Sequence, residues 1–409
     1  MLESVLQATS VRQSPQSSRW PVFRGRMVLY LLTYKAFVIG LALLYAGFFP
    51  GSFSEDDHRA NFHRHVRAGF AERFSTWDGE HYLELSENGY RAGSLTAAFY
   101  PLWPGLIHVA ANAVGGASLI AALLLANLFS LVAWVLFHHL VSAAHGEETA
   151  SCALALLIAY PGSLFYQFPY SESLFLLLVI LFFIGLFREN YWIVASTGFL
   201  LPLTRATGIF CLLPLACHLW ENPSRRSART GRNRIREAFA TSMRPQVVLA
   251  CVCPLAGYAT YFAIMWASTG NAFEGFDAQR HYVNRPSIAN ILNVSGSVSA
   301  FFHSGWRHGF TDSPIDRAFF VAFLACLPLM WRSDKRYFAY AIGSGLVPAL
   351  SNWFFSYTRL LTLCFPVFIV SGEKLAGSKN RRYFWCVIAA LATLQTALIV
   401  RHVNFRWAG

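Results

Sequence analysis

Apolar residues come in blocks along this chain. Runs at 27–49, 117–141, 150–168, 174–187, 191–219, 246–268, 317–331, 337–350, 360–371 and 383–400 are separated by shorter polar stretches. A helix of about 20 residues crosses a bilayer, and several of these runs reach that length. The pattern predicts an all-α polytopic membrane protein with about 10–11 transmembrane helices and a large first loop. No polar stretch is long enough to fold alone, so 27–409 reads as a single membrane domain behind a polar tail, 1–26. The tail carries Arg12, Arg19, Arg24 and Arg26, and no small-residue cleavage site follows the first run. That run therefore reads as a retained span, not a removed signal peptide.

Composition sharpens this picture. Of 409 residues, 55% are hydrophobic and 13% charged, against roughly 25% charged in soluble domains. The net charge of +12 is concentrated beside the runs, not spread as a nucleic-acid-binding face. Its main source is the loop 221–245, with Arg225, Arg226, Arg229, Arg232, Arg234, Arg236 and Arg244. Smaller basic clusters follow at 332–336 and 374–382. Such blocks mark cytoplasmic loops and meet anionic lipid headgroups. The eight cysteines all fall inside apolar runs, which argues against a disulfide framework or a zinc site.

From a cytoplasmic tail, the first span puts 50–116 outside as the first extracytoplasmic loop. Residues 100–116, broken by Pro101, Pro104 and Gly115-Gly116, then read as a membrane-skimming helix. The stretch 191–220 reads either as a hairpin turning between Pro202 and Gly208 or as one tilted span. The hairpin returns 221–245 to the cytoplasm and makes 269–316 a second outer loop. It also relieves Arg205, which in mid-bilayer costs about 2.5–3.5 kcal/mol on insertion scales.

The unusual polar residues then gather on one face. The first loop contains STWDGEHYLELSENGYRAGSLTAAFYPLWPG, residues 75–105. If 79–88 is helical, Asp78, His81 and Tyr82 share a face at i, i+3 and i+4, and Gly89 ends the helix. Asp78 is equally placed to cap that helix. Trp77, Tyr82, Tyr90, Tyr100 and Trp103 suit an interfacial aromatic belt, with Trp77 the candidate for stacking on a sugar. Glu172 also reads as a span-end acid, and Arg359 as an interfacial anchor. Asp56, Asp57 and His58 offer donors to a divalent ion but no third fixed ligand, so a divalent metal stays only an alternative and no other cofactor is expected. The second outer loop adds Glu274, Asp277, Arg280 and His281, a mixture suited to a lid.

The order Trp77-Asp78-Gly79, His81-Tyr82, Gly89-Tyr90, then Phe99-Tyr100-Pro101-Leu102-Trp103-Pro104 resembles the glycosylphosphatidylinositol mannosyltransferase II (PIG-V-like) family, known for WDGxHY and FFPLYP-like segments. Tyr170-Ser171-Glu172-Ser173, Arg205 to Gly208, and Arg359 with Cys364-Phe365-Pro366 resemble that family's later elements. Tyr100 and Trp103 are mild departures, and bacterial relatives of unassigned acceptor are the nearer comparison by length.

The resemblance implies glycosyltransferase C architecture. It implies a polyprenyl-phosphate donor, dolichyl-phosphate mannose in the family, and transfer with inversion to a glycolipid, glycan or protein acceptor. It locates the chemistry at the outer face of a bacterial cytoplasmic membrane, or the lumenal face of the endoplasmic reticulum. Physical reasoning agrees on the parts needed. A carboxylate must take the acceptor proton, which is Asp78 here. Arg205, Arg359 and His81 are donors for the lipid phosphate. Trp77, Tyr82, Tyr170, Glu172, Arg280 and His281 are candidates for holding sugar and acceptor, with Gly79 leaving room for the approaching sugar. A lipid-linked-glycan flippase would share the hydropathy but carry a polar path through the spans. A non-catalytic scaffold would tolerate loss of Asp78 and Arg205 together.

Overall fold

The computed structural model describes residues 25–49, 52–61, 69–226, 244–282, 284–303 and 314–408. Residues 1–24 of the expected cytoplasmic tail and 227–243 of the arginine-rich loop lie outside the described residues.

All regular structure among the described residues is helical. The principal helices are α1 (Gly25–Phe48), α2 (Asp78–Asn88), α3 (Leu102–Ala113), α4 (Ser118–His145), α5 (Glu147–Ala159), α6 (Glu172–Phe187), α7 (Tyr191–Thr204), α8 (Leu212–Arg226), α9 (Pro245–Thr269), α10 (Pro314–Ser333), α11 (Lys335–Ala341), α12 (Pro366–Leu375) and α13 (Arg381–Val403). By length and composition α1, α4, α9, α10 and α13 are long and apolar enough to cross a membrane, and α6, α7 and Ala206–Glu221 are shorter apolar helices. The protein is thus the all-α, polytopic membrane protein that the block pattern predicts.

Several expected spans are broken, and the sequence shows why. Run 360–371 yields a short 3-10 turn at Leu361–Leu363 and then α12, which starts at Pro366, where a missing N–H is least costly. Run 337–350 passes from α11 into a π turn at Ile342–Leu346 before Val347–Ser351. α3 has 12 residues, about 18 Å at about 1.5 Å per residue, too short to cross. The 191–220 stretch forms two helices with a reversal at Arg205–Cys211 between them. The Tyr191 and His218 rings lie 6.3 Å apart, so the two ends of the segment return beside each other in a hairpin. Gly208 permits the turn, because a Cβ there would sit 2.2 Å from the Leu201 carbonyl carbon.

Inside, a continuous apolar core joins Trp103 of α3, Trp134 and Phe137 of α4, Phe175 to Phe183 of α6, Phe323 of α10, and Phe365 and Phe368 around α12. Large apolar side chains point outward on α1 (Leu29, Phe37), α9 (Leu255, Trp266) and α13 (Trp385), as a lipid-facing surface requires.

Candidate active site

α2 begins at Asp78 and ends at Gly89, whose φ is 68°. Trp77, just ahead of it, holds φ 55° and ψ −121°, outside the wells an L-residue prefers. Trp77 holds the N-cap position and makes no side-chain capping bond, so Asp78 is the first residue inside the helix. The Asp78 side chain is taken by Arg359, whose Nη1 donates to Asp78 Oδ2 at 2.5 Å. The capping reading of Asp78 is therefore replaced by a long-range ion pair. The second expectation to change is Gly79, where a Cβ would lie 3.1 Å from Pro169 Cγ. Its smallness lets the turn before Glu172 close onto α2; it does not open a space for sugar.

Glu172, at the start of α6, is the hub. Arg359 Nε donates to Glu172 Oε1 at 2.6 Å, and Arg205 Nη1 lies 2.9 Å from the same oxygen. Arg205 also donates to Ser171 Oγ at 3.0 Å, and that hydroxyl is 2.8 Å from Tyr82 Oη. The Arg359 guanidinium stacks on Tyr170 and Phe165, 4.6 and 4.8 Å from the ring centroids. Tyr170 donates its hydroxyl to Thr76 O at 2.7 Å, tying the stack to the strand of chain that leads into Asp78. Gly162 allows the turns carrying Glu172 and Arg359 to touch, since a Cβ would collide with Thr362 and the Thr358 carbonyl.

Two carboxylates and two guanidiniums make this cluster charge-neutral, which limits the desolvation cost of burying it. The four side chains are not equally buried. Glu172 is fully enclosed and Arg359 is 7% exposed, whereas Arg205 and Asp78 keep 17% and 21% of their side-chain surface. The openings of the cluster are thus one acid and one arginine. Burial pushes the Asp78 carboxyl up, but the charge and hydrogen bond of Arg359, with His81 and Arg205, outweigh it and hold Asp78 below the usual carboxylate range. Burial lowers His81 to about 4 against the pull of Asp78, so its imidazole is neutral at pH 7. Burial raises the Tyr82 phenol to about 12.

Aromatic and polar contacts pack the surroundings closely. His81 stacks on Phe99, with centroids 5.0 Å and planes 19° apart. Tyr282 of the second loop sets its ring edge-on to His81 at 6.4 Å and donates its hydroxyl to Leu95 O at 3.1 Å. Glu274 accepts from Gly93 N at 2.5 Å and from Asn271 Nδ2 at 3.2 Å, clasping the two loops together. Behind Trp77 stand Phe405 and Trp407, with centroids 5.0 and 4.7 Å away. His402 meets Thr76 Oγ1 at 3.1 Å. Before Arg359 the backbone is left-handed at Trp353, Phe354 and Ser356. Left-handed non-glycine residues cost about 1–3 kcal/mol each and gather where surroundings over-determine them. Here they precede both members of the Asp78–Arg359 pair.

The structure thus brings Asp78, Glu172, Arg205, Arg359, Tyr82 and Tyr170 together, with His81 alongside. Tyr82 and Tyr170 are buried in the frame and present no face to solvent. Trp77 packs on the C-terminal aromatics. Arg280 is exposed and pairs with Asp277 at 2.9 Å, and His281 is exposed. Asp56 pairs with Arg59, while His58 reaches Glu80 at 3.0 Å. No group of three or more metal-ligating side chains converges among the described residues. Sequence reasoning missed Tyr282, His402, Phe405, Trp407 and Asp316. A lone acid opening the apolar run 317–331 was the available signal for Asp316, and nothing local marked the others.

A cluster of balanced charge, joined from distant segments at the Glu172 end of α6, is the built site of this polytopic membrane protein. The family follows from the sequence: residues 25–263, more than half of the chain, match the family described as Mannosyltransferase (PIG-V). The chain belongs to that family of membrane glycosyltransferases. No curated protein matches the sequence. Among solved structures, it is similar to the oligosaccharyltransferase of Archaeoglobus fulgidus in complex with zinc and sulfate, at 11% identity and TM-score 0.45, covering 90% of this chain and 53% of that one. It is also similar to the archaeal oligosaccharyltransferase AglB from Archaeoglobus fulgidus in complex with an inhibitory peptide and a dolichol-phosphate, at 12% identity and TM-score 0.45, covering 93% of this chain and 56% of that one. The chain thus spans about half the length of these solved relatives.

Proposed function

We propose that the protein transfers a mannosyl, or similar hexosyl, group from a polyprenyl-phosphate donor to an acceptor hydroxyl at the extracytoplasmic membrane surface, with inversion. One observation carries the reading: the cluster exposes a single ionised carboxylate, Asp78, beside a single arginine edge, Arg205. The acceptor oxygen attacks C1 of the sugar, its proton passes to Asp78, and the C1–phosphate bond breaks. Negative charge leaves the carboxylate as it appears on the departing lipid phosphate, where the Arg205 guanidinium meets it. Net charge in the site is conserved through the step. Arg359 is already engaged by two carboxylates, so its part is to aim Asp78 and keep it ionised. Neutral His81, fixed on Phe99, borders the same space. The acceptor is a glycolipid, glycan or protein.

A base must be deprotonated to act, and the Asp78 pKa lies below the usual carboxylate value of about 3.9. The rate should therefore be insensitive to Asp78 between about pH 5 and 8 and fall only below the ordinary carboxylate range. An acid limb near pH 6–7 that disappears in Asp78→Asn would contradict this state of the base. The reaction itself is tested by incubating purified protein with radiolabelled polyprenyl-phosphate mannose and a lipid or cell-wall acceptor fraction. Label moving to acceptor supports transfer. Movement of the intact lipid across vesicles without transfer would select a flippase.

A further inference from the structure

We propose that Asp316 and Thr358 are positioning residues that hold Arg359 in register with Asp78. The proposal rests on Asp78 acting as the base in the reaction above. Asp316 lies fully buried in the first turn of α10. Its Oδ1 accepts from Thr358 N at 2.6 Å and from Thr358 Oγ1 at 2.7 Å. Thr358 immediately precedes Arg359 in a helix of four residues, Tyr357–Leu360. A helix that short has too few internal bonds to keep its own geometry. The chain entering it is left-handed at Trp353, Phe354 and Ser356, conformations that persist only where neighbours fix them.

α10 supplies those neighbours with consecutive residues. Asp316 grips Thr358, and the Arg317 guanidinium sits 5.6 Å from the Phe354 ring. Phe320, one turn further on, packs on Phe354 at 4.8 Å and on Tyr357 at 5.5 Å. Loosening the Asp316 grip would let Arg359 turn away from Asp78. The groups facing Asp78 are Arg359, Arg205, His81, Tyr82, Tyr170, Tyr282 and His402. With Arg359 displaced, burial favours protonated Asp78. The acid limb of turnover then moves to higher pH. A role in folding alone would lower the yield of folded protein and leave that limb in place.

The test compares full-length wild type, Asp316→Asn, Thr358→Val and Thr358→Ser in bilayer nanodiscs. Two quantities are read: the pH profile of sugar transfer, and the rate at which phenylglyoxal modifies Arg359, followed by peptide mass spectrometry. The first two variants should lose about tenfold or more in kcat with little change in donor KM. Their acid limb should rise by about one pH unit, and Arg359 modification should accelerate about tenfold. Thr358→Ser, which keeps the hydroxyl, should match wild type in every respect. An unmoved acid limb and unchanged Arg359 modification in folded Asp316→Asn and Thr358→Val would overturn the proposal. If Asp316→Asn does not fold, Thr358→Val decides alone. If wild type transfers no sugar, the enzymatic reading fails, while the Arg359 modification rates still decide the positioning.

Discussion

The two ends of α6 carry similar charges in different settings. At its Phe187 end, Arg336 lies 4.1 Å over the Phe187 ring, bonds Asp334 two residues away, and reaches His218 Nδ1 at 3.0 Å. Nearby, Lys335 pairs with Glu221 at 3.2 Å and His145 with Glu373 at 2.5 Å. The Arg336–His218 contact is buried and long-range, whereas the Lys335–Glu221 and His145–Glu373 pairs are partly exposed, and α11 begins with ordinary capping by Asp334. At the Glu172 end, about 24 Å away along 16 residues, the charges also come from four distant segments, meet on a fully buried carboxylate, and two of them, Asp78 and Arg359, follow left-handed backbone. Charge alone therefore does not mark a site in this bundle. What separates the ends is the one fully buried carboxylate shared by two guanidiniums, and the strained backbone ahead of Asp78 and Arg359.

That contrast can be broken experimentally, beginning with the hub. Glu172→Gln leaves two buried guanidiniums without their shared counter-charge. Removing one partner of a buried network costs about 3–5 kcal/mol, so the variant should melt far below wild type and lose transfer. A near-native melting temperature would mean that the cluster does not hold this end together. Arg205→Lys keeps the charge but not the planar fork, and should lower transfer about tenfold or more with melting unchanged. Full turnover in that variant would remove phosphate recognition from Arg205. At the other end, Lys335→Ala touches a pair whose lysine is 48% exposed. Surface pairs contribute about 0–1 kcal/mol, so melting and transfer should both stay near wild type. A large loss of transfer there would erase the distinction between the two ends.

The membrane class and the helices were legible because apolar blocks and helix breakers are local signals. Pro101, Gly89 and the 205–208 turn lie where the structure starts, ends and reverses helices respectively. The quoted motifs also contained Asp78, Glu172, Arg205 and Arg359, but not their pairing. Nothing in a linear pattern says that Arg359 reaches back 281 residues to Asp78, which turned a capping acid into an ion pair. Gly79 was misread for the same reason, since its neighbour Pro169 comes from another turn. His402, Phe405 and Trp407 carry no motif at all and join the site only through the packing of α13.

The central claim is that Asp78 is the base and not a part of the scaffold. Asp78→Asn keeps its size and one acceptor oxygen for Arg359. The direct measurement is turnover of this variant, with melting temperature and donor affinity recorded on the same preparation. The account predicts that transfer falls by at least about 10²-fold, the low end of what general base catalysis contributes, while melting and donor binding stay close to wild type. Stable, donor-binding protein with full turnover would contradict it and leave Asp78 as a counter-ion for Arg359.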